Sequence, residues 1–218
     1  MLARDVIVLV LGMCASVCAR AESASSLRFD STEAMAEWLV SQDENAASEP
    51  DPSTAVASFG REDDSAWSIS AGSVLLMQDA DAYPHVEIAL HEFLVEGFEV
   101  VGELSVWEFF QDGDDATGAA LSVDFRWHYW HSDDWRESYF AHVGAGVLFT
   151  DEHVPDDGSS VNFIPRMGLG YTRQIREDGT RFVANLRWQH VSNGRILSGD
   201  ENPGRDGVSL SAGVIIPF

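Results

Sequence analysis

Three observations in the sequence predict an all-β fold, an eight-stranded antiparallel transmembrane β-barrel. From Ser65 to the C-terminus, apolar residues alternate with polar or small ones, the period of two expected of strands whose faces meet different surroundings. The polar side of these runs carries charges, Glu103, Asp124, Arg126 and Arg187, well inside the runs. The last run closes the chain on an aromatic, Phe218, in phase with Leu210, Ala212, Val214 and Ile216.

The runs are Ala66–Met77, His85–Val95, Phe98–Phe110, Ala119–Trp130, Tyr139–Thr150, Val161–Gln174, Arg181–Val191 and Val208–Phe218. Their length suits a tilted membrane strand of roughly 9–11 residues. In the fourth, Leu121, Val123, Phe125, Trp127 and Tyr129 oppose Ser122, Asp124, Arg126, His128 and Trp130. In the sixth, Phe163, Pro165, Met167, Leu169 and Tyr171 oppose Arg166, Gly168, Gly170 and Thr172. In the seventh, Phe182, Ala184, Leu186 and Trp188 oppose Val183, Asn185, Arg187 and Gln189. A soluble sandwich would bury the apolar set, whereas a membrane barrel turns it to lipid and keeps the charges in the lumen. Aromatics near the run ends and charges deep within them favour the barrel. Closure then gives short turns at 96–97, 131–138 and 175–180 on the periplasmic side. The other connections, 78–84, 111–118, 151–160 and 192–207, are external.

Upstream of the barrel, residues 1–21 read as a secretory signal: Arg4, an apolar run from Val6 to Ala19, and the small-x-small site Ala19-Arg20-Ala21. Both cysteines, Cys14 and Cys18, fall inside it, so the secreted chain is expected to hold no disulfide. Residues 22–64 form an acidic, mostly disordered extension with one short helix near Ser31–Ser41 and a linker over Gln42–Asp64. The chain has 218 residues and a formal net charge of −23, with arginine as its only cation besides histidine. That balance argues against nucleic acid as a partner, because phosphate recognition needs clustered cations.

The stretch Trp188-Gln189-His190-Val191-Ser192-Asn193-Gly194, followed by Asn202-Pro203-Gly204-Arg205-Asp206-Gly207, carries the candidate chemistry. His190 and Ser192 are two apart, which puts both on one strand face, that of Phe182, Leu186 and Trp188. Asp206 shares the phase of Val208 and Leu210, so the hairpin returns it beside His190 on the lipid side. A serine, a histidine and a carboxylate are the parts of an acyl-transfer site: nucleophile, base and orienting acid. The Asn193 amide and the backbone around Asn193 and Gly194 are the candidate oxyanion donors. The other histidines, His85, His91, His128, His131, His142 and His153, are scattered without metal-ligand spacing, and neither a metal nor a cofactor is expected.

At these residues the chain resembles the lipid A 3-O-deacylases of the PagL-like group, outer-membrane barrels also called acyloxyacyl hydrolases. The resemblance rests on His190-x-Ser192-Asn193-Gly194, Asn202-Pro203-Gly204-x-Asp206 and the aromatic end of the last strand. Arg126-Trp127-His128-Tyr129 and Asn162-Phe163-Ile164-Pro165 extend it to the middle strands. It implies an esterase of the bacterial outer membrane that removes the 3-position acyl chain from the lipid A of lipopolysaccharide, surrounded by outer-membrane lipid, without a metal. It also implies catalytic roles for His190 and Ser192. The third member of that group is usually a glutamate; here Asp206 stands in the matching place, and Glu201, nearby in the loop, is the alternative acid. The competing reading is a non-catalytic small barrel, an anchor, adhesin or lipid binder. A homodimer is left open.

Overall fold

Alternation of this kind folds as one closed sheet. The structure, a computed structural model, describes residues 58–77, 82–111, 113–156, 158–194 and 204–218. The signal, the short helix, the linker up to residue 57 and Glu201 lie outside the described residues. The strands are β1 (Ser65–Leu76), β2 (Ala82–Val95), β3 (Phe98–Phe109), β4 (Ala116–His131), β5 (Glu137–Val154), β6 (Ser159–Gln174), β7 (Arg181–Val191) and β8 (Arg205–Pro217). Each pairs antiparallel with the next, and β8 returns to β1, so the barrel has no open edge. The chain is thus an all-β, eight-stranded antiparallel barrel.

The faces fall as the alternation requires. Exposed apolar side chains, among them Ile88, Leu104, Phe125, Met167, Leu169, Leu186 and Leu210, cover the outer wall. Trp127, Tyr129, Trp130 and Tyr139 ring the end that carries the short turns. One expectation is corrected. Trp130 does not face the lumen with His128, because a register shift between His128 and Trp130 adds a residue to β4 and turns Trp130 outward, 46% exposed.

The lumen is filled in layers. In the middle, the Arg166 guanidinium donates to both oxygens of Asp124 at 2.8 Å and to Glu103 at 2.7 Å. Arg187 reaches Glu87 at 3.0 and 3.2 Å and Glu103 at 3.3 Å. An apolar layer of Val74, Tyr83, Trp107, Phe109, Leu148, Val154, Ile164 and Val191 closes the end of the long connections. A second, of Ala66, Phe93, Trp135, Phe140, Val183 and Ile215, closes the turn end. Phe59, ahead of β1, completes this second layer: it is 6% exposed, meets Phe93 edge-on at 4.9 Å, and lies under the Arg181 guanidinium at 4.1 Å. The last residues of the stretch read as linker are therefore part of the packed barrel mouth. A lumen this full is not a channel, as expected for eight strands.

Candidate active site

β7 runs from the turn end to the loop end, so its C-terminal residues reach the rim that carries the long connections. His190 stands on its outer face directly opposite Asp206 of β8. Nδ1 of His190 and Oδ1 of Asp206 are 3.1 Å apart. A carboxylate only accepts, so Nδ1 carries the hydrogen and Nε2 is left as the basic nitrogen. The two side chains are 30% and 37% exposed, open to whatever surrounds the wall.

Three further residues flank His190. Trp188, one step down the same face, lies nearly parallel to it at 6.4 Å between ring centres. Pro165 of β6 stands across from it, because the β6–β7 register of Arg166 with Gln189 resumes at Phe163 with Ser192. Phe163 and Ser192 exchange both backbone hydrogen bonds, at 2.7 and 3.2 Å. The pair two residues away would do the same, but Pro165 has no N–H. The ladder therefore lapses at His190. Gly204 is the third: a Cβ there would fall 2.5 Å from Cε1 and 2.9 Å from Nε2 of the ring.

Ser192 keeps the phase of His190 but is 7% exposed, more enclosed than a free rim side chain. Among the described residues it makes no hydrogen bond to His190; what the structure joins directly is His190 and Asp206. Side chains two apart on a strand stand roughly 7 Å apart at the Cα, within reach of a rotamer change. Asn193 has the opposite phase and is 2% exposed, so its amide belongs to the enclosed side. Gly194 has φ of +62°, a left-handed conformation that favours glycine.

The lumen holds a second serine–histidine–carboxylate chain that sequence reasoning missed. Ser68 Oγ is 2.9 Å from His91 Nε2, and His91 Nδ1 is 2.8 Å from Glu99 Oε2. His128 and Ser138 extend it on the other side of Glu99, at 3.1 and 2.9 Å. The connectivity is that of a hydrolytic triad, but His91 and Glu99 are fully buried and apolar layers lie at both ends of the lumen. No ester can reach it, and its role is to satisfy buried polar groups. Register would have found it: β2 and β3 set His91 against Val101, two residues along from Glu99. Among the described residues no three His, Cys, Asp or Glu side chains form a group that could hold a metal ion.

Comparison with known proteins adds a family match. The family model described as lipid A 3-O-deacylase (PagL) matches residues 94–214, a span that includes β3 to β7, His190, Ser192 and Asp206. No curated protein matches the chain in sequence. The crystal structure of the outer membrane enzyme PagL is similar at a TM-score of 0.56 and 18% identity, covering 69% of this chain and 99% of that one. The crystal structure of Neisserial surface protein A (NspA) is similar at 0.51 and 10% identity, covering 73% of this chain and 100% of the other. At these identities both likenesses speak to the fold.

Proposed function

Because the chain belongs to the lipid A 3-O-deacylase (PagL) family, an ester hydrolase family of the bacterial outer membrane, we propose that it cleaves the 3-position acyl ester of lipid A by a serine–histidine–acid mechanism. The observation that carries this reading is the His190–Asp206 pair, set side by side at the loop end of a mainly apolar outer wall. Polar groups on a lipid-facing surface are costly and mark functional sites.

In this scheme Ser192 Oγ attacks the ester carbonyl while His190 Nε2 takes its proton. Asp206 holds the tautomer and stabilises the imidazolium. The backbone at Asn193 and Gly194 offers N–H groups to the oxyanion. Collapse of the tetrahedral intermediate breaks the bond to the sugar oxygen, which takes the proton from His190. Water, deprotonated by the same nitrogen, then attacks the acyl-serine and frees the fatty acid and Ser192. Substrate binding brings Ser192 Oγ to Nε2, since catalytic hydrogen bonds commonly tighten only in the complex. Glu201 is the alternative acid; Asp206 is preferred because it already meets the ring. The scheme uses residues of a single barrel only.

The test is mass spectrometry of lipid A incubated with purified protein in micelles. The wild type should remove one ester-linked acyl chain, and Ser192→Ala should lower the rate by roughly 10⁴–10⁶-fold. Ser192→Ala at wild-type rate would refute the assignment of the nucleophile.

A further inference from the structure

Gly204 has no role in the scheme above, yet its nearest neighbour is the base of that scheme. Most glycines of the barrel that face a close neighbour face backbone or a fixed lumen side chain: Gly72 meets Leu210 and Ser211, Gly168 meets Leu186, and Gly213 meets Ile69. At Gly204 the three nearest atoms to a built Cβ are all in one imidazole, Cε1 at 2.5 Å, Nε2 at 2.9 Å and Nδ1 at 3.6 Å of His190. Among the described residues, what a side chain at 204 would meet first is the ring edge between the two nitrogens of His190.

We propose that Gly204 is a positioning residue of the hydrolytic site, the seat against which the His190 ring is held in line with Asp206. The inference rests on the reading of His190 as the base. Along the strand the ring lies beside Trp188, and on β8 Asp206 holds Nδ1. Those two contacts act on the ring face and on Nδ1, and leave the edge at Cε1 to be bounded from the side of residue 204. The bare Cα of Gly204 bounds that edge, standing against Cε1 where a side chain would not fit. A methyl group at 204 has to push the ring away, because 2.5 Å is nearer than nonbonded carbons approach. The imidazole is a movable side chain, so the fold tolerates the push. What is lost is the 3.1 Å contact with Asp206 and the direction of Nε2. A misplacement of about 1 Å at such a site costs on the order of 10²-fold in rate.

The experiment compares Gly204→Ala with wild type in detergent micelles, with steady-state kinetics on lipid A and ¹H–¹⁵N spectra of ¹⁵N-histidine-labelled protein. The expected result is a kcat lower by about 10²-fold with KM within about twofold. The Nδ1 proton resonance assigned to His190 by its loss in His190→Ala should shift or disappear, and the urea midpoint should hold. Partial rescue by Asp206→Glu in the Gly204→Ala chain is expected, since a longer carboxylate follows the displaced ring. An unchanged kcat, or an unchanged Nδ1 resonance, would overturn the proposal. Should Gly204→Ala assemble poorly, the same substitution is made in His190→Ala, where the ring is gone. Normal assembly there supports the seat, and a persistent defect refutes it by locating the obstacle elsewhere. A wild-type protein that releases no acyl chain would sink the hydrolytic reading, while the spectra would still judge the contact.

Discussion

Replacing Arg166 by methionine should unfold the barrel more readily without touching its chemistry. Arg166 is 1% exposed and lies in the charged layer of the lumen. Its guanidinium makes three charge-assisted bonds, two to Asp124 and one to Glu103, all between 2.7 and 2.8 Å. Glu103 keeps a second cation, Arg187 at 3.3 Å, when Arg166 is gone. Asp124 is fully buried and directs both of its carboxylate oxygens to Arg166, so it loses the cation it is bonded to. Removing one partner of a buried pair leaves an uncompensated charge and costs about 3–5 kcal/mol, far more than the area lost. Removing the second partner as well, in Arg166→Met/Asp124→Leu, takes away that charge and should recover about half of the loss or more. Urea unfolding in micelles, followed by tryptophan fluorescence and by the faster gel migration of folded barrels, measures both. Deacylation per folded molecule should stay within about twofold, because His190, Ser192 and Asp206 carry outward phase on β7 and β8. A loss below about 1 kcal/mol for Arg166→Met, or a double variant less stable than the single one, would refute this view of the lumen.

Three other outcomes follow from the same contacts. Phe59→Ala should cost about 2–4 kcal/mol in the same unfolding assay, from lost packing in the turn-end layer and the lost contact with Arg181, with activity per folded molecule retained. Gly60→Ala should also destabilise, by about 1–3 kcal/mol, since Gly60 has φ of +101° and a Cβ there would run into the Trp135 indole. Asp206→Asn should slow lipid A deacylation by roughly 10²–10⁴-fold, below the effect of Ser192→Ala, because the pair is partly exposed and the amide can still touch Nδ1. Retention of full activity by Asp206→Asn would move the acid to Glu201.

The barrel was legible in the sequence because its cause is local. A strand with lipid on one side and charges on the other writes its phase into every second residue, and eight such phases suffice for closure. The limits show where longer range decides. β5 runs from Glu137 to Val154 rather than from Tyr139 to Thr150, extending at both ends into residues where alternation fades. The bulge that turns Trp130 outward adds one residue, and a pattern of period two cannot announce it. The pairing of Arg187 with Glu87 joins strands a hundred positions apart across the lumen, so composition shows the charges and not their partners. Phe59 was hidden in an acidic stretch whose overall polarity outweighed one aromatic.

At the site, the phases of His190 and Asp206 were enough to place them on one face of one hairpin, and the observed register sets them directly opposite each other. Two residues of the quoted motifs had no visible purpose. Pro165 acquires one when register sets it against His190, and Gly204 when it comes to stand against the ring. The enclosure of Ser192 was not foreseen, since phase gives a side chain's direction and says nothing of what closes over it.

In the proposed scheme hydrolysis takes place on the outer wall, at Ser192, and not in the better-connected serine–histidine–glutamate chain of the lumen. The most direct measurement is covalent labelling of the folded protein in micelles by a lipophilic serine-reactive phosphonate, with the modified peptide mapped by mass spectrometry. The scheme predicts modification of Ser192, lost in His190→Asn and unchanged in Ser68→Ala. Modification of Ser68 or Ser138, or of Ser192 at the same rate when His190 is replaced, would contradict it.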